Sequence, residues 1–276
     1  MIKTIVSAEE LHSHVNDPDW FVFDCRFSLA DEELGRRQYA ESHIPGAQYA
    51  DLNKDLSDPV IPGKTGRHPL PERDRFLARV RQWGVTAGAR VVAYDDAGGA
   101  FAARLWWLFR WLGHDRVAVL DGGLNAWQRA GFPLANDETQ YEPSHFEAGE
   151  PLTLTVGADE IPDTDAIIID ARDEARYRGE AEPIDPVAGH IPAAICVPFA
   201  GNLTATGEFH TPDQLAKRFG DAGVSEDRRC ICYCGSGVTA AHNILAMVHA
   251  GLPEPILYPG SWSEWITNPE RPVSRS

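Results

Sequence analysis

Short β-branched and apolar runs at 166–169, 229–233 and 256–258 alternate along the chain with segments of helical period, Phe101 to Leu112 and Thr239 to His249. The runs predict buried strands, and the segments between them predict crossover helices. Strands alternating with helices in this way argue for an α/β fold, each domain a mainly parallel sheet flanked by helices.

The pattern occurs twice, at an offset of roughly 140–147 residues. Val22-Phe23-Asp24-Cys25-Arg26 answers Ile168-Ile169-Asp170-Ala171-Arg172, and His43-Ile44-Pro45-Gly46-Ala47 answers His190-Ile191-Pro192-Ala193-Ala194. Further on, Val91-Val92-Ala93-Tyr94-Asp95 answers Cys230-Ile231-Cys232-Tyr233-Cys234, and Gly122-Gly123 with Trp127 answers Gly260-Ser261 with Trp265. The polar stretch Asn136 to Pro151, with two prolines, reads as a linker. The expected division is a first domain at 1–136, a linker at 137–152 and a second domain at 153–276.

Composition changes this picture only by exclusion. A net charge of −16, with no block of Lys and Arg, argues against nucleic acid as a partner. The first fifteen residues lack a signal-like apolar run and no segment has membrane-spanning length, so a cytoplasmic, non-membrane protein is expected. The cysteines number 5, and Cys230, Cys232 and Cys234 crowd together, which suits a reducing compartment better than a disulfide framework.

The candidate chemistry gathers where the strand ending at Tyr233 runs into Cys234-Gly235-Ser236-Gly237-Val238-Thr239 and a helix. Ligands of α/β sheets bind at such carboxyl ends, and loop amides and the helix N-terminus can stabilise a thiolate there. An isolated Cys-Gly pair would read as a buried structural Cys, but two glycines and two hydroxyls at a strand-to-helix loop favour a nucleophile. The first half has Asp95-Asp96-Ala97-Gly98-Gly99-Ala100 at this place, so one active site per chain is expected, in the second half. The loop lacks the Arg that a Cys-dependent phosphatase needs, and alternate-residue spacing in a strand is a poor zinc-binding arrangement for the three cysteines. No metal site is expected.

His43 and His190 sit in the repeated turn of both halves and therefore track the fold. His68, in the loop Ser57 to Pro71, is either a solvated histidine or a group reaching across a domain cleft. Arg172 and Arg176 could dock an anionic donor by a fork of N–H groups, whereas Arg178 reads as a surface cation. The aromatic stretch Leu105 to Trp111 reads as core.

Taken together, the duplicated Asp-x-Arg and His-Ile-Pro motifs, Leu120-Asp121-Gly122-Gly123, Gly260-Ser261-Trp262-Ser263-Glu264-Trp265 and the Cys234 loop resemble the tandem-domain sulfurtransferases of the rhodanese superfamily. The resemblance implies two rhodanese-like domains, the first non-catalytic. It also implies a catalytic Cys234 that becomes a persulfide, loop amides at Gly235, Gly237, Val238 and Thr239, and no organic cofactor. The acceptor would be cyanide, a thiol or a thioredoxin-like protein. The neutral loop is similar to that of 3-mercaptopyruvate sulfurtransferases, with thiosulfate as the alternative donor and a sulfur-carrier protein as an alternative role. In that subfamily Ser236 and His68 would form a relay with an acid, matched here by Asn53 with Asp51 nearby. Arg176 would be the first of two arginines on the donor carboxylate. The second is expected after Glu182-Pro183, where this chain has Ile184.

Overall fold

The computed structural model describes residues 4–162 and 164–275. The first three residues of the expected first domain, Asp163 and Ser276 lie outside that range. The described chain forms two compact units. The first comprises the described residues up to Asp58, Pro71–Leu152 and Ala205–Phe209. The second comprises Pro59–Leu70, Thr153–Thr204 and the described residues from His210.

In the first unit, β1 (Ile5–Val6), β2 (Trp20–Asp24), β3 (Gln48–Tyr49), β4 (Arg90–Tyr94) and β5 (Val117–Leu120) form one sheet in the order β1-β5-β4-β2-β3. Every pairing is parallel. Helices α1 (Ala8–His14), α2 (Leu34–Glu41), α3 (Arg73–Gln82), α4 (Ala102–Trp111) and α5 (Gly123–Arg129) connect the strands. The last four residues of both β2 and β4 are buried, as expected for strands whose two faces are both covered. Ala102 to Phe109 of α4 are likewise all buried, so this helix is a core element, as its aromatic composition predicts.

The second unit repeats the design with β6 (Ile167–Asp170), β7 (Ile195–Cys196), β8 (Cys230–Tyr233) and β9 (Ile256–Leu257) in the parallel order β7-β6-β8-β9. Thr155 makes a parallel bridge to Leu257, as β1 pairs with β5. Its α-helices are α6 (Glu174–Arg178), α7 (Pro212–Asp221), α8 (Thr239–His249) and α9 (Ser261–Trp265). The start of α7 is fixed by a capping box between Thr211 and Gln214, with Pro212 in the first turn. Among the described residues no helix is long and apolar enough to cross a membrane.

The repeated motifs prove to be one hydrogen-bonded device, built twice. Asp24 at the end of β2 holds the Arg26 guanidinium, whose Nη2 also donates to the Ser42 carbonyl at 2.7 Å. The Tyr94 hydroxyl donates to Asp24 at 2.7 Å and accepts from the Ile44 amide at 3.2 Å. Asp170, Arg172, Gly189, Tyr233 and Ile191 repeat these roles, with Arg172 Nη2 at 2.6 Å from Asp170 and 2.7 Å from the Gly189 carbonyl. His43 and His190 stack on Tyr39 and Tyr177 and bond their carbonyls through Nδ1 at 2.7 and 2.8 Å. Each also forms an antiparallel bridge with a later segment, at Ala135 and Ser274 respectively. They hold turns, as their presence in both halves predicts.

The expected division of the chain departs from these units at three segments. Residues 59–70 lie in the second unit, 205–209 in the first, and the 137–152 stretch belongs to the first. Polar composition made that stretch read as a linker, yet its backbone is strapped down. Ser144 N donates to the Arg81 carbonyl at 2.8 Å, Gly149 N to Leu112 at 2.8 Å, and Leu152 N to Arg110 at 3.0 Å.

Removing one member of a buried ion pair strands the other charge, at a cost of ~3–5 kcal/mol. Arg26→Ala and Arg172→Ala are both expected to destabilise on that scale in urea denaturation. A loss below about 1 kcal/mol for either would refute the structural role of the Asp-x-Arg pair.

Candidate active site

Strand β8 delivers Cys234 to the carboxyl edge of the second sheet, and the chain turns at once into a loop that opens α8. Cys234 is fastened at both ends of its peptide. Its N–H donates to Ser261 Oγ at 3.0 Å, and its carbonyl accepts from Trp262 N at 2.9 Å. The loop then curls so that the amides of Ser236 and Gly237 face Sγ at 3.5 and 3.1 Å. Two backbone N–H dipoles are thus aimed at the sulfur.

Gly237 makes the curl possible. Its φ is +76°, and a Cβ there would lie 2.3 Å from the Pro259 carbonyl oxygen. Of the other loop residues expected to supply amides, Gly235 accepts at its carbonyl from Ser263 N at 2.9 Å, Val238 caps α8, and Thr239 begins it.

The equivalent loop of the first half carries its own anion. The Asp95 carboxylate accepts from the amides of Ala97, Gly99, Phe101 and Ala102 at 2.8–2.9 Å. Its carbonyl accepts from Leu124 N at 2.8 Å, the counterpart of the Cys234–Trp262 bond. Amides that face a sulfur in the second unit are thus occupied by a side chain of the protein in the first.

His68 and Ser236 come together: both are buried, and His68 Nδ1 lies 2.8 Å from Ser236 Oγ. Of the two readings of His68 open in the sequence, solvation is excluded. The loop 59–70 that carries His68 is part of the second unit, so the histidine lies within the unit that holds Cys234. The acid matched to the relay belongs to the first unit, where Asp51 Oδ1 closes a turn by accepting from Asn53 N at 3.0 Å and Lys54 N at 3.1 Å.

Arg176, on α6, reaches the loop beside Cys234. A Cβ built on Gly235 would lie 3.5 and 3.6 Å from its two terminal nitrogens. Glu182 and Asp185 hold the guanidinium, with Nε to Glu182 at 3.0 Å and Nη2 to Asp185 at 3.0 Å. Arg172 is different, and its expected substrate-binding role is corrected by its surroundings. Its side chain is 1% exposed and bonded to Asp170, Glu182 and the Gly189 carbonyl, with its guanidinium 4.8 Å above the Trp262 ring. It repeats what Arg26 does in the half without the cysteine.

Two further site residues escaped the sequence reading. Arg67 Nη2 lies 3.0 Å from the same Gly235 Cβ position, and its Nη1 pairs with Asp185. The available signal was adjacency, since Arg67 precedes the singled-out His68. Burial pushes the Asp185 carboxyl up from its ordinary range, and the neighbouring Arg67 guanidinium opposes that shift. The remaining thiols are structural in character. Burial pushes Cys25 and Cys232 well up and Cys196 to about 12.

Both halves match the rhodanese-like domain, at residues 7–130 and 155–268. The chain is 48% identical over 277 residues to a Pseudomonas aeruginosa protein described as a probable 3-mercaptopyruvate sulfurtransferase, covering 98% of this chain and 97% of that one. It is 38% identical over 281 residues to SseB of Mycobacterium tuberculosis, described as a putative thiosulfate sulfurtransferase, covering 99% and 97% of the two chains. The crystal structure of SseA from Escherichia coli, described with the rhodanese fold of 3-mercaptopyruvate sulfotransferases, superposes with a TM-score of 0.82 at 34% identity, covering 95% of this chain and 100% of that one. The chain belongs to the rhodanese-like family, among its tandem-domain sulfurtransferases.

The two loop glycines separate strain from space. Gly237→Ala should cost on the order of 2–4 kcal/mol, because left-handed backbone and a backbone overlap coincide there. Gly235→Ala meets only the side-chain ends of Arg67 and Arg176 and should cost about 1 kcal/mol or less. Urea midpoints of the two variants compare them directly, and equal losses would contradict the loop geometry.

Proposed function

We propose that this protein moves the sulfur of 3-mercaptopyruvate, through a persulfide on Cys234, to cyanide or a thiol acceptor, a thioredoxin-like protein included. The observation that carries the reading is the Cys234 Sγ held under the Ser236 and Gly237 amides, next to a bonded hydroxyl and imidazole. The descriptions of the Pseudomonas and Escherichia relatives support the same donor. Five free cysteines suit a reducing compartment, and the cytoplasm is the proposed location.

In this reaction the Cys234 thiolate attacks the thiol sulfur of the donor and a sulfur–sulfur bond forms. The donor's carbon–sulfur bond breaks, and its electron pair passes to carbon as the enolate of pyruvate. The proton lost from the thiol returns to that carbon, and Ser236 with His68 stands where such a proton can be relayed. The persulfide carries its charge on the outer sulfur, within reach of loop amides that relieve the charge without reorganising. Cyanide then attacks the outer sulfur, the sulfur–sulfur bond breaks, and thiocyanate leaves with the Cys234 thiolate restored. Arg176 binds the donor carboxylate by charged hydrogen bonds.

Thiosulfate is the competing donor, favoured by Ile184 at the place of an expected arginine and by the description of the Mycobacterium relative. Turnover with cyanide and each donor, together with intact mass for one sulfur added at Cys234, distinguishes them. A higher kcat/KM for 3-mercaptopyruvate is expected, and a preference for thiosulfate would reverse the assignment. Cys234→Ser should abolish transfer from both donors with the unfolding midpoint retained, and surviving turnover would remove Cys234 from the mechanism.

The relay is tested separately. His68→Ala should lower kcat for 3-mercaptopyruvate by roughly 100-fold, within the usual range of general acid–base contributions. Thiosulfate should be spared, because its sulfite leaving group needs no proton. Equal losses with both donors would reduce His68 to a structural role.

A further inference from the structure

The sequence leaves the site one arginine short. The position after Glu182-Pro183 is Ile184, which is 41% exposed and has no charge to offer an anion. A second guanidinium is nevertheless present, from a different part of the chain. Arg67 lies in the loop 59–70, whose backbone is anchored to the Cys234 side of the unit by the Arg67 N–H donating to Ser263 Oγ at 3.0 Å. Gly66 fits tightly there, since a Cβ would lie 2.5 Å from the Gly260 carbonyl oxygen.

Three features of Arg67 point to a ligand. Its Nη2 lies closer to the Gly235 Cβ position than either terminal nitrogen of Arg176, at 3.0 Å against 3.5 and 3.6 Å. Its Nε is buried without a hydrogen-bond partner, a donor that a ligand oxygen would satisfy. Asp185 bridges the two guanidinium groups, taking Arg67 on one oxygen and Arg176 on the other. One carboxylate thus sets the spacing of two cations beside the residue that follows Cys234.

We infer that Arg67 is the second anchor for the donor carboxylate and a specificity-determining residue, supplying from the 59–70 loop the charge that Ile184 does not. This rests on the reading of 3-mercaptopyruvate as donor. Arg67 and Arg176 would form a two-armed clamp in which the substrate carboxylate takes up the N–H groups left over by Asp185 and Glu182. Asp185 and Glu182 keep the unliganded site near neutral, so a monoanion is taken up on geometry and unfilled donors rather than on a large excess of positive charge. A donor whose charge lies next to the transferred sulfur, such as thiosulfate, draws on the loop amides and gains less from the clamp.

Binding of 3-mercaptopyruvate and of pyruvate to the Cys234→Ser protein, measured by titration calorimetry, tests the clamp without turnover. Arg67→Ala in that background should weaken both ligands by about 10- to 100-fold, the range of a lost charged hydrogen bond. Arg67→Lys, which keeps the charge and the pair with Asp185 but loses the fork, should fall between, and it decides the matter if the alanine variant does not fold. Adding Ile184→Arg to Arg67→Ala should restore binding, a rescue that a merely structural role for Arg67 would not permit. Arg178→Ala, removing an exposed arginine of α6, serves as the unaffected control. Affinities within about twofold of the parent for both Arg67 variants would overturn the proposal. Failure of the donor reading looks different: the native protein binds both ligands with Arg67 dependence intact yet forms no persulfide from 3-mercaptopyruvate.

Discussion

Backbone N–H groups at the end of a buried strand must be paired, and this requirement shapes both halves of the molecule. Where β4 runs into α4, a loop turns four amides inward, and the Asp95 carboxylate takes all of them. The corresponding loop after β8 has no such carboxylate and turns two amides towards a sulfur. Residue 95 fills its own cradle, whereas residue 234 leaves one that a charge developing on sulfur can use. On one repeated arrangement of strand, loop and helix, the amides thus meet a carboxylate in the first half and the Cys234 sulfur in the second.

That arrangement holds its shape because charges elsewhere are fully committed. The Asp24–Arg26 and Asp170–Arg172 pairs are buried and bonded to the tyrosine that ends β4 or β8, Tyr94 or Tyr233, and to a carbonyl before the His-Ile-Pro turn. Pairing of this kind offsets the desolvation of both ions only where further hydrogen bonds, here to the Ser42 and Gly189 carbonyls, satisfy remaining donors. It also explains why Arg172, although only a few positions before Arg176, has its guanidinium taken up by other groups. Arg172 is consumed by the fold, while Arg176, one helical turn further on, retains nitrogens turned to Gly235.

Glycines at 237 and 123 carry the corresponding backbone constraint. Each has a positive φ and packs against a carbonyl oxygen too closely for a Cβ, at Pro259 and at Asp95 respectively. At the place of Gly123 the second half has Ser261, also at positive φ, 55°, and its hydroxyl accepts the Cys234 amide. A strained serine thus ties down the peptide of the candidate nucleophile, where the first half needs only a glycine.

The sequence alone determined the parallel α/β architecture, its duplication, the core character of α4 and the strand-to-loop placement of Cys234. These follow from periodicity, from local turn chemistry and from comparison of one half with the other, all of which are short-range or repeated signals. The tertiary structure decided where the loop 59–70 belongs, that His68 meets Ser236, that 137–152 is strapped to the first unit, and that Arg67 and Asp185 stand beside Gly235. These contacts span up to 196 positions of sequence and most involve irregular segments, where no period marks which side chain faces which neighbour. Arg67 carries no motif of its own in the sequence. Packing against Ser263 and pairing with Asp185 hold it beside Gly235.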